Sequence, residues 1–451
     1  MYNPTAKRFL WVRSMYIKKI IIENIRCFEH IEIDLSSQQG SKMWTLLLGD
    51  NGVGKTTILR CIAMTLMGAT NASGLLGELY GEWVRGQADE PEKAVIHIEF
   101  EQGTTTDTPR WIKTIFERTK SGNVNVSQKA GPENLENFPW DDIFVCGYGA
   151  ARRAYGTQDY AEYSAIDSLY TLFKYDAPLQ NPELILRRIK DTGVKPEELL
   201  SWIDKILMLP EGSTKLGFEG ITVSGPWGKF MPLGSTGDGH QATLAWLTDM
   251  LGWAMFYDKD LFKEVRNKLS GIVLLDEIEH HLHPSWQKQI IKLLAEQFPH
   301  LQFIATTHSP LCAIGSANLP DDKCSLVLLT QEDNHVIGRD KLLPPHGRRA
   351  DQVLTSYLFG LDTSGDNETK AEIQKYSYLA GKKRNSDEEA EYKKLFAILE
   401  NKLGSQETEL EQVVSDAISE TLRKNPKANK YNNESLAFEI KRQLKDLLEG
   451  P

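Results

Sequence analysis

An α/β fold, a mixed sheet with flanking helices, is what the sequence predicts, and three segments carry that expectation. The first is a strand, a glycine turn and a helix in direct succession: the apolar run Trp44 to Gly49, the turn Gly49-Asp50-Asn51-Gly52-Val53-Gly54-Lys55-Thr56, and helical apolar spacing from Thr57 to Met67. The second is GIVLLDE, Gly271 to Glu277, followed by a helix from Pro284 to about Gln297. The third is the strand LQFIATT, ending just before His308. Apolar strands of this kind are buried on both faces, which requires helices to cover a largely parallel sheet.

The remaining elements follow in chain order. Residues 1–14 read as a loose N-terminal extension, because MYIKKIIIENI from Met15 opens the first strand. YIKKIIIENI and HIEIDL, joined by RCFE, have hairpin grammar. KAVIHIEFE and WIKTIFER read as strands, DDIFVCGYGA ends a strand in a glycine turn, and YSAIDSLYTLFKY and PEELLSWIDKILML read as helices. No heptad pattern is sustained between about 75 and 233, so long coiled-coil arms are not expected. A helix is expected from His240 to about Tyr257. The head then spans 15–365, with a first lobe over 15–150, an inserted mixed or helical region over about 151–233 and a second lobe over 234–345; a charged helical region fills 366–451. In that last region Leu410, Val413, Val414, Ala417, Ile418 and Leu422 form one apolar stripe, and Leu436, Ile440, Leu444, Leu447 and Leu448 a second, for packing on the chain itself or for docking a partner.

Composition narrows the function classes. The 451 residues can bury a large core, and 41% hydrophobic with 25% charged residues is ordinary for a folded protein. A formal charge of -10 argues against a surface that grips nucleic acid everywhere, so any such contact needs a local patch. Arg152-Arg153, Arg187-Arg188-Lys190, Arg348-Arg349 and Lys382-Lys383-Arg384 are the short basic clusters, read first as solvated faces. Five scattered cysteines without a C-x-x-C pair fit a reducing compartment, and no apolar run is long enough to span a bilayer, so a cytoplasmic location with no membrane partner is expected.

Four segments carry chemistry. The Gly49 to Thr56 turn satisfies G-x-x-x-x-G-K-[ST]: its glycines let consecutive N-H groups converge on phosphate oxygens at a helix N-terminus. Asn51, Gly52, Val53, Gly54, Lys55, Thr56 and Thr57 are the expected ATP-binding residues, with Lys55 reaching the β- and γ-phosphates and the Thr56 hydroxyl ligating Mg²⁺. Asp276 at the end of its strand is expected to hold Mg²⁺ through water, and Glu277 to act as the base that orients the attacking water. His308 is placed to hydrogen-bond the γ-phosphate. Gly234 to Gln241 is a second glycine and hydroxyl turn at a helix start; since one ATP cannot need both turns of one head, Ser235, Gly237, Asp238 and Gly239 are expected to serve the nucleotide of a second copy. His280, His281 and His283 invite a metal reading.

Phosphate loop, glycine-serine helix start, Asp-Glu strand and strand-end histidine, in that order, resemble the Walker A, signature, Walker B and switch histidine of ABC-type ATPase heads. The opening IKKIIIENIRCFEHIEIDL is similar to the RecF and SMC branch of that class. VCGYGAARR, DEIEHHLHP and RADQVLTSYLFGLDT resemble the ATPase subunit of Septu systems and retron-associated ATPases of anti-phage defence. The resemblance implies an ABC-type P-loop head that hydrolyses ATP with Mg²⁺, a homodimer or higher oligomer sandwiching the nucleotide, and a separately encoded effector nuclease of the HNH type. It also implies that the segment directly after Asp276-Glu277, which holds His280, His281 and His283, is a loop crossing a subunit interface rather than a metal site. Departures are visible. The signature is not LSGGQ, and either Ser235 or Gly237 stands for the usual serine. No Q-loop glutamine is evident, and Arg152 and Arg153 are the candidates to sense phosphate in its place. Nothing after His308 matches the nuclease motifs of the similar OLD proteins. Two other readings stay open: a scaffold that binds ATP and rarely hydrolyses it, and a RecF-like DNA-repair ATPase.

Overall fold

The computed structural model describes residues 15–38, 40–77, 79, 82–86, 93–101, 110–131, 143–152, 156, 160, 162–258, 269–333, 335–361, 367–380 and 384–403. The expected extension over 1–14, Arg153, Lys382, Lys383 and both C-terminal apolar stripes lie outside the described residues. The chain divides into two compact units, Met1–Asp362 and Thr363–Pro451.

The first unit opens with the expected hairpin. Strands β1 (Ile17–Ile25) and β2 (Phe28–Asp34) pair antiparallel, and the alternation of Ile20 and Ile22 puts one face in the core, where Ile25 is buried as well. After the two-residue strands β3 (Ser36–Ser37) and β4 (Gly40–Ser41) comes β5 (Trp44–Gly49), buried on both faces, and then helix α1 (Lys55–Leu66). Helix α1 is apolar on nearly all sides because it runs between two sheets. A short α2 (Ala69–Leu76) follows, and β6 (Lys93–Phe100), β7 (Trp111–Arg118) and β8 (Val124–Gly131) complete a five-stranded antiparallel sheet of order β2-β1-β6-β7-β8.

The second sheet carries the site. Strand β9 (Val145–Tyr148) precedes α3 (Ala165–Leu169), α4 (Pro182–Asp191) and α5 (Pro196–Ile206). A three-stranded meander, β10 (Thr214–Gly217), β11 (Gly220–Gly225) and β12 (Gly228–Pro232), leads into α6 (Asp238–Tyr257). Then come β13 (Gly271–Leu275), α7 (Pro284–Gln287), α8 (Ile290–Gln297), β14 (Leu301–Thr306), α9 (Pro310–Ser316), β15 (Cys324–Glu332), β16 (His335–Leu342) and α10 (Ala350–Leu354). The six-stranded sheet has the order β16-β15-β5-β14-β13-β9, parallel throughout except for antiparallel β16. The mixed sheet with flanking helices is the fold class expected, and the glycine loop joins β5 to α1. Buried Gln302 of β14 ties the two sheets, accepting from the Ile17 N-H at 2.7 Å and donating to the Ile17 and Lys42 carbonyls at 2.8 Å each.

One expectation needs correction. The single helix expected from Pro284 to about Gln297 is broken after Gln287, because α9 packs against the break through Gly315. A side chain there would lie 2.7 Å from the Lys288 carbonyl oxygen, and Asn318 donates to that same carbonyl at 3.4 Å. The inserted region is mixed, with α3, α4 and α5 followed by the β10–β12 meander at its end. No helix among the described residues is long and apolar enough to cross a membrane.

The second unit shows α11 (Asn367–Ala380) and α12 (Ser386–Leu403) packed together. The Tyr376 and Tyr392 rings stack at 4.7 Å and share a hydroxyl hydrogen bond of 2.9 Å, while Arg384 lies over Tyr392 and donates to Glu389 at 2.6 Å.

Candidate nucleotide-binding site

The carboxyl ends of parallel strands collect the candidate residues, as the geometry of open α/β sheets requires. Register fixes this: Leu47 of β5 lies opposite Thr306 of β14, and Leu275 of β13 lies opposite both Ala305 and Tyr148 of β9. The Lys55 loop, Asp276-Glu277, His308 and Arg152 therefore leave the sheet at one edge.

The loop after β5 is shaped for close backbone approach. Gly49, Gly52 and Gly54 have φ of +140°, +84° and +92°, values that L-residues rarely adopt. Asn51 and Gly52 are exposed, Gly54 and Thr56 half-buried, and Val53, Lys55 and Thr57 buried. The Cys27 thiol reaches the Val53 carbonyl at 3.7 Å, so the β1–β2 turn braces the loop from below. No side chain caps the N-terminus of α1, and its first turn has no acidic residue, which keeps its N-H groups and dipole open to an anion. The Lys55 ammonium folds onto the Gly49 and Asp50 carbonyls at 2.7 and 2.8 Å. Burial lowers its pKa, while Asp276, Glu279, Asp50 and Glu277 pull it back up.

The Thr56 hydroxyl lies 3.0 and 2.9 Å from the two oxygens of Asp276, a residue 220 positions away. A hydroxyl beside a carboxylate offers the hard oxygen donors that Mg²⁺ prefers, and together with the loop these residues fit Mg-ATP. The Thr306 hydroxyl donates to Asp276 Oδ1 at 2.7 Å and accepts from the Glu277 N-H at 2.7 Å. Glu277 itself holds a left-handed backbone, φ +47°. Its carbonyl accepts from the guanidinium of Arg152, which is buried and not on a solvated face as its basic cluster predicted. Burial brings the Arg152 pKa down to about 10 against the pull of Asp276, Glu279 and Glu277, so it stays cationic at neutral pH. The other basic clusters behave differently where described: Arg187 pairs with Glu183 at 2.7 Å, and Arg188 lies over Phe256 while donating to the Tyr160 carbonyl at 2.9 Å.

His308 is half-buried, and its N-H donates to Glu279 Oε1 at 2.6 Å. The second oxygen, Glu279 Oε2, is buried and has no hydrogen-bond partner among the described residues. Two of the histidines after Glu279 have hydrogen-bond partners: His280 meets the Ala150 carbonyl, 130 positions away, at 2.8 Å, and His283 caps α7 through Ser285. Among the described residues no group of three or more His, Cys, Asp or Glu is placed to hold a metal ion.

The second glycine turn sits at the surface, with Ser235, Gly237 and Asp238 exposed and no side-chain cap on α6. Gly239 packs so closely on the His281 carbonyl that a side chain there would collide with it, and His240 fits between Trp227 and Trp286 at 4.9 and 5.0 Å. The turn is thus fixed to the loop that follows Glu277. Motif reading misses Thr306, for which the paired threonines of FIATTHS are the available sign, and it points to Arg152 without its contact with the Glu277 carbonyl.

Comparison with known proteins agrees with this geometry. A family model described as "AAA domain" matches residues 19–138, and one described as "AAA domain, putative AbiEii toxin, Type IV TA system" matches 171–313. A Septu protein PtuA of Bacillus mycoides is 29% identical over 363 residues, covering 78% of this chain and 46% of the relative. This chain resembles the Septu and retron-associated ATPases. A "Retron Vc95 probable ATPase" of Vibrio cholerae is 36% identical over 118 residues, 24% of this chain and 20% of the relative. The chain spans less than half the length of these curated relatives. The solved SMC head bound to the C-winged helix domain of ScpA superposes at a TM-score of 0.44 with 18% identity, covering 73% of this chain and 98% of that one. The fold assignment rests on strand order and loop placement rather than on that superposition.

Proposed function

We propose that this head binds Mg-ATP at the Lys55 loop and hydrolyses it with Glu277 as base, in a site that a second copy completes. The observation that carries the reading is the meeting of Thr56 and Asp276 within 3.0 Å beside a glycine loop, with Glu277 one residue on. Bound Mg-ATP supplies a terminal phosphoryl group open to attack by water. The N-H groups of Asn51 to Thr57 orient the phosphates, and Lys55 swings from its loop carbonyls to neutralise them. Thr56 and Asp276 provide oxygen donors for the metal ion. Glu277 orients the water and takes its proton, and His308 reports the terminal phosphate. Ser235, Gly237, Asp238 and Gly239 present their helix start to the partner's nucleotide.

Turnover of the full chain tests this. Glu277→Gln is expected to lower the rate by about 10²- to 10⁴-fold with ATP still bound, and Lys55→Ala to lose binding and turnover together. Unchanged turnover in Glu277→Gln removes Glu277 from the mechanism.

The likeness to the Septu protein PtuA supports a wider role in anti-phage defence, with a separately encoded HNH-type nuclease as effector. Co-expression with the neighbouring reading frame is expected to yield a complex whose phage protection is lost in Lys55→Ala; full protection by that variant contradicts control by nucleotide.

A further inference from the structure

Three consecutive residues at the end of β13 hang on one residue of β14. The Thr306 hydroxyl donates to Asp276 Oδ1 and accepts from the Glu277 N-H, each at 2.7 Å, and the Thr306 carbonyl accepts from the Ile278 N-H at 3.0 Å. Thr306 is wholly buried, and its backbone is pinned in register against Leu47 at the root of the phosphate loop. A hydroxyl has one proton to give and lone pairs to accept, so the single Thr306 oxygen serves both neighbours at once.

The Glu277 backbone needs such support. A non-glycine residue at φ +47° sits about 1–2 kcal/mol above the right-handed well. That conformation is clamped from both sides, by Thr306 on the N-H and by Arg152 on the carbonyl. Thr306 also occupies Asp276 Oδ1 by a bond that does not involve Thr56, so the orientation of Asp276 survives when Thr56 turns to the metal ion.

We propose that Thr306 is a positioning residue whose hydroxyl sets Asp276 and Glu277 together, so that it governs metal use and turnover rather than nucleotide affinity. This deepens the hydrolysis reading and rests on it. Its backbone contacts would persist in any β-branched residue, so Thr306→Val removes the hydroxyl at nearly constant shape, and Thr306→Ser restores it.

The test uses the full chain with wild type and Glu277→Gln alongside. Two lost hydrogen bonds predict a fall in kcat of about 10- to 100-fold in Thr306→Val, with KM for ATP changed less than about threefold. Thr306→Ser is expected to regain most of the rate. A second readout does not need turnover: the Mg²⁺ concentration at half-saturation for binding a fluorescent ATP analogue should rise in Thr306→Val and return in Thr306→Ser. A Thr306→Val protein with wild-type kcat and wild-type Mg²⁺ midpoint overturns the inference, as does a Thr306→Ser protein no better than Thr306→Val. If Thr306→Val does not fold, Thr306→Ser decides alone, because loss of turnover despite a retained hydroxyl contradicts the role. Absence of turnover in wild type defeats the hydrolysis reading instead, and the Mg²⁺ midpoint then still judges Thr306.

Discussion

Gly54 ends the phosphate loop with its backbone at φ +92°, and a Cβ built there would lie 2.5 Å from the Cys27 sulfur and 2.6 Å from Phe28 Cζ. The β1–β2 turn therefore fixes how near the loop can come to the core. Gly54→Ala combines left-handed strain with overpacking and is expected to destabilise the chain by about 2–4 kcal/mol in denaturant unfolding; a loss under about 0.5 kcal/mol would show that the turn yields freely. At this scale the motifs were legible because each is contiguous: Gly49 to Thr56 and Asp276-Glu277 announce themselves by residue type and order. Thr306 was not, and Arg152 was singled out without its partner, since their partners lie 30 and 125 positions away and only the parallel pairing of β9, β13 and β14 brings them together.

The link between elements that matters most for the site is α6, which starts at the second glycine turn and reaches β9 through a buried carboxylate. Asp249 accepts from the Tyr148 hydroxyl and from the Gln180 N-H, both at 2.9 Å, and burial raises its pKa from 3.8 to about 6. The folded chain thus holds this proton more tightly than the unfolded chain. Unfolding free energy should fall as pH rises through the window from 3.8 to about 6 and level off above it. The full contribution is on the order of 3 kcal/mol. Urea melts across that range are expected to lose this slope in Asp249→Asn; an unaltered slope would place the titration elsewhere. Because Tyr148 ends the strand that leads to Arg152, the tie also connects the helix start at Gly237 with the carbonyl of Glu277. The apolar runs of β5, β13 and β14 could be read from sequence. The β10–β12 meander could not, since its strands are short, rich in glycine and, in β12, largely exposed, which erases the period-two pattern. The break between α7 and α8 was hidden for another reason: it is imposed by the approach of Gly315 from α9, a tertiary event with no local sign.

For the molecule as a whole, one glycine turn is braced from the β1–β2 turn by Cys27, and the second stands at the surface, at Ser235 and Gly237. That asymmetry gives the account its central claim, that two copies close over nucleotide held by the Lys55 loop of each. The surface turn is fixed to the loop after Glu277 by the close contact of Gly239 with His281, so closure by a partner would bear on the same segment that carries Glu277. A substitution that blocks the surface turn, Gly237→Glu, is expected to leave ATP binding by the single chain intact while suppressing turnover by about 100-fold or more; a normal rate would remove this turn from the site. The most direct measurement is the solution mass of the Glu277→Gln chain by sedimentation, with Mg-ATP and with Mg-ADP. The account predicts a dimer, or a larger assembly of such pairs, with one nucleotide per chain in ATP and its dissociation in ADP. A Glu277→Gln chain that binds ATP fully and remains a monomer would contradict it.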